Sequence, residues 1–240
     1  MDATSLFNEI RDFCQSNANE QVAKNLQRFF KEPCDVYGLT APQIHQKVKE
    51  LLHKKELNQS IVLASIPLFL EGGKGEEISF GLLLLNGFSK QFTRETFNEI
   101  VTYFPKSIDN WAHADILGML ILPKFLLQKI VELNDFDTWI SSPYKFQRRC
   151  VPVTFIKPVK ITKETSPYID FVKPLMADKE REVHQGMGWF LREAWKIQHE
   201  TVESFLFERK ETAPRLIVQY ACEKMSAEEK KRFRRSDQKR

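Results

Sequence analysis

A tryptophan and an aspartate stand four residues apart in Ile108-Asp109-Asn110-Trp111-Ala112-His113-Ala114-Asp115, so a helix carries Trp111 and Asp115 on one face. A carboxylate stabilises developing positive charge, and the face of an indole attracts a cation through its quadrupole. A second unusual combination is Phe146-Gln147-Arg148-Arg149-Cys150-Val151, an arginine pair entering an otherwise apolar helix. Guanidinium groups grip phosphates bidentately. The third is Gly186-Met187-Gly188-Trp189-Phe190-Leu191-Arg192-Glu193, where Trp189 and Arg192 share a face behind two glycines that permit close helix packing. Each residue also has a purely structural reading: tryptophans fill cores, aspartates cap helices, and arginines pair with surface acids.

Other chemistries lack their signatures. Gly72-Gly73-Lys74-Gly75 does not have the order of a phosphate-binding loop, and no GxSxG motif occurs. His45, His53, His113, His184 and His199 are scattered, without an HExxH helix or a clustered carboxylate, so neither a metal nor a cofactor is expected. Cys14, Cys34, Cys150 and Cys222 form no CxxC pair and read as reduced thiols of a cytoplasmic protein. The N-terminus, acidic and amphipathic, does not resemble a signal peptide, and the apolar run Gly81 to Leu85 is far too short to span a bilayer.

Positioning these residues falls to helices. Of the 240 residues 42% are hydrophobic, and 19 phenylalanines recur at helical spacing with few glycines and prolines to interrupt them. Leu6, Ile10 and Phe13, then Val22, Leu26, Phe29 and Phe30, predict two short amphipathic helices, the second capped by Asn19. Thr40 and Pro42 open a helix through about Lys55, and a further one runs from about Asn58 to Phe69. Shorter units then recur over 78–88, 93–103, 110–121 and 124–133, followed by 145–156, 167–175, 179–198, 199–209 and 213–225. No stretch alternates with period two for long enough to make a sheet. The expected fold is an all-α, HEAT-like α-solenoid of antiparallel helix pairs over residues 1–225, with a globular bundle as the rival architecture.

Charge is uneven along the chain. Residues 1–140 hold 14 Lys+Arg against 18 Asp+Glu, whereas residues 141–240 hold 22 against 14. Lys230 to Arg240 alone supply seven cations and one acid, so residues 226–240 read as a basic tail able to attract phosphates without reading sequence.

The segments IDNWAHADIL, FQRRCV and GWFLREAW, in this order, resemble the bacterial DNA alkylation repair glycosylases of the AlkD type, built from HEAT-like helix pairs wrapped around DNA. Val36-Tyr37-Gly38-Leu39-Thr40-Ala41-Pro42 resembles the loop that opens a helix in that family. The resemblance spans about residues 5 to 225, and WxxxD and GWxLRE are its most specific elements.

The resemblance implies a monomeric glycosylase without cofactor, hydrolysing the N-glycosidic bond of N3- or N7-alkylated purines in duplex DNA gripped by a concave face. It assigns Asp115 as the catalytic carboxylate, Trp111 and Trp189 as its flanking aromatics and Arg149 as the arginine holding DNA at the lesion. Arg192, and Arg148 beside Arg149, are expected to contact the DNA. Alkylation makes the purine a cationic leaving group, so catalysis consists mainly of stabilising positive charge on an oxocarbenium-like sugar, and Asp115 can also orient the attacking water. Cleavage would proceed without drawing the base into a deep pocket. Two positions depart from the family pattern: Asn110 stands where a second tryptophan precedes the WxxxD tryptophan, and Phe146 replaces a tryptophan before the arginine pair. A DNA-structure binder of weak or no activity and a helical protein scaffold are the alternative functions.

Overall fold

Capping side chains set where many of the helices begin. In the computed structural model, which describes residues 1–31 and 33–236, Asp2 caps α1 (Ala3–Ser16) and Asn19 caps α2 (Glu20–Gln27), its Oδ1 accepting the Val22 amide at 3.0 Å. The Gln43 side chain accepts the Thr40 amide at 2.8 Å at the head of α3 (Ala41–Leu52). Asn58 caps α4 (Gln59–Gly72), and α5 (Gly75–Gly87) follows after two residues. Thr93 caps α6 (Arg94–Val101), and Asn110 caps α7 (Trp111–Ile116), which passes into the π-helical turn Leu117–Ile121. Each cap satisfies one of the amides that a helix start leaves unpaired. Among the described residues there is no strand.

The chain divides into two compact units, Met1–Ile121 and Leu122–Arg240. In the first, the contacts give the helix directions. Glu77 lies by Gly72 while Gly81 lies on Ile66 and Phe69, so α4 and α5 run antiparallel. Ser65 approaches the Ala3 carbonyl and the rings of Phe7 and Phe69 meet at 5.4 Å, so α1 and α4 run parallel. The core is carried by Val62, Ile66 and Phe69 of α4 and by Phe80, Leu82, Leu84 and Leu85 of α5. Two acids open α5 inside this core. Glu77, fully buried, accepts Arg11 Nε and Nη2 at 2.9 Å each and the Tyr37 hydroxyl at 2.9 Å. Glu76 accepts the backbone amides of Tyr37, Gly38 and Leu39 at 3.0, 2.8 and 3.1 Å, which fastens the loop before α3 to α5. Buried carboxylates are tolerated because each of their oxygens has at least one donor.

The second unit comprises α8 (Leu122–Leu127), a 3₁₀ turn, α9 (Asp137–Ile140), α10 (Lys145–Thr162), α11 (Ser166–Val172), another 3₁₀ turn, α12 (Arg181–Trp195), α13 (His199–Arg209), α14 (Arg215–Ala221) and α15 (Ala227–Arg232). Lys145 meets Glu182 at 3.5 Å and Lys160 meets Glu193 at 2.6 Å, so α10 and α12 are parallel. Gln185 donates to the Tyr220 hydroxyl at 3.0 Å and Arg192 pairs with Glu223, so α14 continues the parallel layer. Intervening helices return the chain between layer members, the arrangement of a helix-pair repeat array. Close approach in this layer needs glycine. A Cβ on Gly188 would stand 2.4 Å from Tyr220 Cβ and 2.8 Å from the Ile217 carbonyl oxygen, and one on Gly186 would stand 3.2 Å from Arg149 Cγ.

Several expected boundaries move, for local reasons. The second helix stops at Gln27, leaving Phe29 70% exposed instead of on an amphipathic face. Pro123 lacks the amide that an ordinary turn would donate to Met119, and the chain widens into the π turn just before it. Lys129 adopts a left-handed conformation (φ 57°), which ends the segment expected to run to Leu133. Helix α10 runs to Thr162 through Pro152 and Pro158 because packing outweighs their cost: the Phe155 ring meets those of Phe136, Tyr168, Phe171 and Phe190 at 5.1–6.4 Å. Within 226–240, Ser226 caps α15 and Phe233 is buried, while 237–240 lie outside the described residues. Cys14, Cys34, Cys150 and Cys222 are free thiols. Burial pushes Cys14 up to about 12 and Cys34 and Cys222 up to about 11, so these three are not ready nucleophiles.

Candidate active site

In the first unit the site residues sit on α7, and the cap of that helix does more than start it. Asn110 Oδ1 accepts the His113 amide at 3.1 Å, while Asn110 Nδ2 lies 2.9 Å from His113 Nδ1. His113 Nε2 lies 2.9 Å from the carbonyl oxygen of Gly75, at the start of α5. Only the neutral tautomer protonated at Nε2 satisfies both contacts: Nε2–H donates to Gly75 and Nδ1 accepts from Asn110. Burial, partly opposed by the Gly75 hydrogen bond and by the charge of Asp109, lowers the pKa of His113 below the usual imidazole value. An asparagine at this position is therefore a structural clasp.

Trp111 is pinned by its polar edge and one ring face. Its Nε1–H donates to the Phe29 carbonyl at 3.2 Å, and its ring stacks on Phe30 at 5.3 Å and 18°. The residue stays 37% exposed. Asp115, one helical turn further on, is half-buried on the same side. The first unit thus brings Trp111 and Asp115 together on a short helix that is capped at its start and tied to α5.

In the second unit the two arginines of α10 diverge. Arg148 donates through Nε and Nη2 to the two carboxylate oxygens of Asp178, at 2.6 and 3.2 Å, and through Nη1 to the Ser142 carbonyl at 2.6 Å. This clasp ties α10 to the turn before α12. Arg149 is only 6% exposed and donates through Nη1 to the Glu182 carbonyl at 2.7 Å, its side chain passing Gly186. The glycine brings Arg149 alongside the helix that carries Trp189 and Arg192. Trp189 is half-buried, and its indole N–H has no hydrogen-bond partner among the described residues.

Arg192 enters a network that sequence reasoning missed. Its Nε donates to Glu193 at 3.2 Å and its Nη1 to Glu223. Glu193, 8% exposed at its side chain, also pairs with Lys160 at 2.6 Å and Lys196 at 2.7 Å. Burial raises the Glu193 pKa, but the hydrogen bonds and charges of Lys160 and Lys196 outweigh it and hold the carboxyl at about 2. Lys196 lay in plain sight four residues after Arg192, on the face of Trp189. Lys160 had no local signal, because its approach depends on the parallel packing of α10 on α12.

Among the described residues no group of three His, Cys, Asp or Glu side chains could hold a metal ion, and no helix is long and apolar enough to cross a membrane.

These features define an all-helical protein of the helix-pair repeat class with an acid–indole pair in one unit and an arginine–indole group in the other. A family model for the DNA alkylation repair enzyme matches residues 10–225, so the chain belongs to the DNA alkylation repair enzyme family. Among solved structures, a predicted DNA alkylation repair enzyme from Enterococcus faecalis matches with a TM-score of 0.73 at 16% identity, over 88% of this chain and 97% of that one. At that identity the likeness is one of fold. The comparison with curated proteins returns no match.

Proposed function

We propose that the protein is a DNA glycosylase that hydrolyses the N-glycosidic bond of cationic N3- or N7-alkylated purines in duplex DNA. The observation that carries this reading is the Trp111–Asp115 pair on a helix held by the Asn110–His113 and His113–Gly75 contacts and by the hydrogen bond from Trp111 to the Phe29 carbonyl. A cationic leaving group needs no general acid. What accelerates its departure is a fixed negative charge beside the sugar, which Asp115 supplies while directing a water to the anomeric carbon. Trp111 offers its uncovered surface to the cationic nucleotide, and Trp189, on the second unit, is a further indole available to bound DNA. On the second unit Arg149 and Arg192 are the arginines assigned to backbone phosphates, and Arg148 supports Arg149 by anchoring α10 to Asp178.

Membership of the repair family and a positive balance in the last hundred residues both support DNA as the partner. A second reading, a DNA-structure binder that excises nothing, is favoured by one observation: Asn110 removes an aromatic that the family pattern places beside Trp111. The test is incubation with duplex DNA containing 7-methylguanine or 3-methyladenine, with free base measured against spontaneous loss. Release above background supports the glycosylase; binding without release supports the second reading.

A further inference from the structure

Helix α7 spans only six residues before the π-helical turn, too few to hold a position by its own hydrogen bonds. Its two sides differ. Trp111 and Asp115 stay partly accessible on one of them, whereas His113, two residues from each and so about 200° around the helix, is buried on the other. The His113 ring touches two elements at once: Nε2–H donates to the Gly75 carbonyl at 2.9 Å, and Nδ1 accepts from Asn110 Nδ2 at 2.9 Å. Gly75 is itself held. Its amide donates to the Asp35 carbonyl at 2.8 Å, its carbonyl also accepts the Ser79 hydroxyl at 2.9 Å, and a Cβ on it would stand 2.9 Å from Val36 Cγ1. The next residue, Glu76, accepts the amides of Tyr37, Gly38 and Leu39. One imidazole therefore spans from this framework to the cap of α7. Asn110 cannot reverse its amide to suit a charged ring, because its Oδ1 already accepts the His113 amide.

We propose that His113 is a positioning residue for base release: a neutral imidazole strut, braced on Gly75, that fixes α7 and with it the place of the Asp115 carboxylate and the Trp111 ring. The proposal rests on the glycosylase reading and adds to it a residue too buried to touch DNA. Misplacing a reacting group by about 1 Å costs about 10²-fold in rate, so loss of the strut is felt in the chemical step.

The experiment compares wild type, His113→Ala, His113→Gln and Asn110→Ala in two measurements: single-turnover release of 7-methylguanine from duplex DNA at saturating protein, and affinity for the same duplex by fluorescence polarisation. His113→Ala is expected to lower the rate by about 10–10²-fold with DNA affinity unchanged, and Asn110→Ala, which removes the other end of the strut, to lower it in the same way. His113→Gln, whose amide can still donate to Gly75, is expected to recover part of the loss. Melting curves set a temperature at which each variant is folded; if His113→Ala does not fold, His113→Gln and Asn110→Ala carry the comparison. Wild-type rates in the folded variants, or a parallel fall of rate and affinity, overturn the strut and leave the glycosylase reading intact. Absence of base release by the wild type removes that reading, and the role of His113 with it.

Discussion

Replacing Asn110 by alanine removes two interactions at once. The first is the cap on the His113 amide, for which an alanine substitution costs about 1 kcal/mol. The second is the donor to His113 Nδ1; His113 is 3% exposed, and a buried acceptor left unpaired costs about 1–3 kcal/mol. Together these give a loss of about 2–4 kcal/mol, or roughly 4–16 °C in Tm for a chain of this size. Asn110→Asp separates the two, because it keeps the cap while presenting an acceptor to Nδ1. The signs of the pH dependence then differ. In the wild type the folded pKa of His113 is lowered, so protonation favours the unfolded chain and stability falls as pH drops below about 6.5. In Asn110→Asp the carboxylate raises the folded pKa of His113, so this site's contribution is present at low pH and lost as pH rises through that pKa. Urea unfolding at pH 8 and pH 6, by circular dichroism, measures both effects. A loss below about 0.5 kcal/mol in Asn110→Ala, or the same direction of pH dependence at this site in Asn110→Asp as in the wild type, refutes the clasp.

Other outcomes follow from the packing. Arg11→Met leaves the fully buried Glu77 carboxylate with only the Tyr37 hydroxyl and is expected to destabilise the protein by about 3–5 kcal/mol in denaturant unfolding. Gly188→Ala forces α12 and α14 apart at a contact of 2.4 Å and is expected to cost about 1–3 kcal/mol, whereas the same change at Gly73, where a Cβ meets nothing within 4 Å, tests backbone strain alone.

Helix content was legible because apolar spacing and capping residues agree along the chain: Asn19, Asn58, Thr93 and Asn110 each precede an observed helix. The expected segment 199–209 coincides with α13. Boundaries were less legible where tertiary packing overrides a local signal. Pro158 reads as a stop, yet the ring cluster around Phe155 carries α10 past it. The candidate site divides in the same way. The spacing of Trp111 and Asp115 placed them on one face, but nothing local distinguishes Arg148, spent on Asp178, from Arg149, buried against Gly186. That distinction depends on which turn of α12 lies against which turn of α10. Asn110 shows the converse: it reads as an interruption of a catalytic motif, and its partners make it a determinant of where that motif sits.

In the proposed reaction the Asp115 carboxylate, held on α7, stabilises the departing cationic purine. Single-turnover release of 7-methylguanine from duplex DNA, compared between wild type and Asp115→Asn at saturating protein, tests it most directly. The expected result is a loss of about 10²–10³-fold in rate with DNA binding retained; release by Asp115→Asn at the wild-type rate would contradict it.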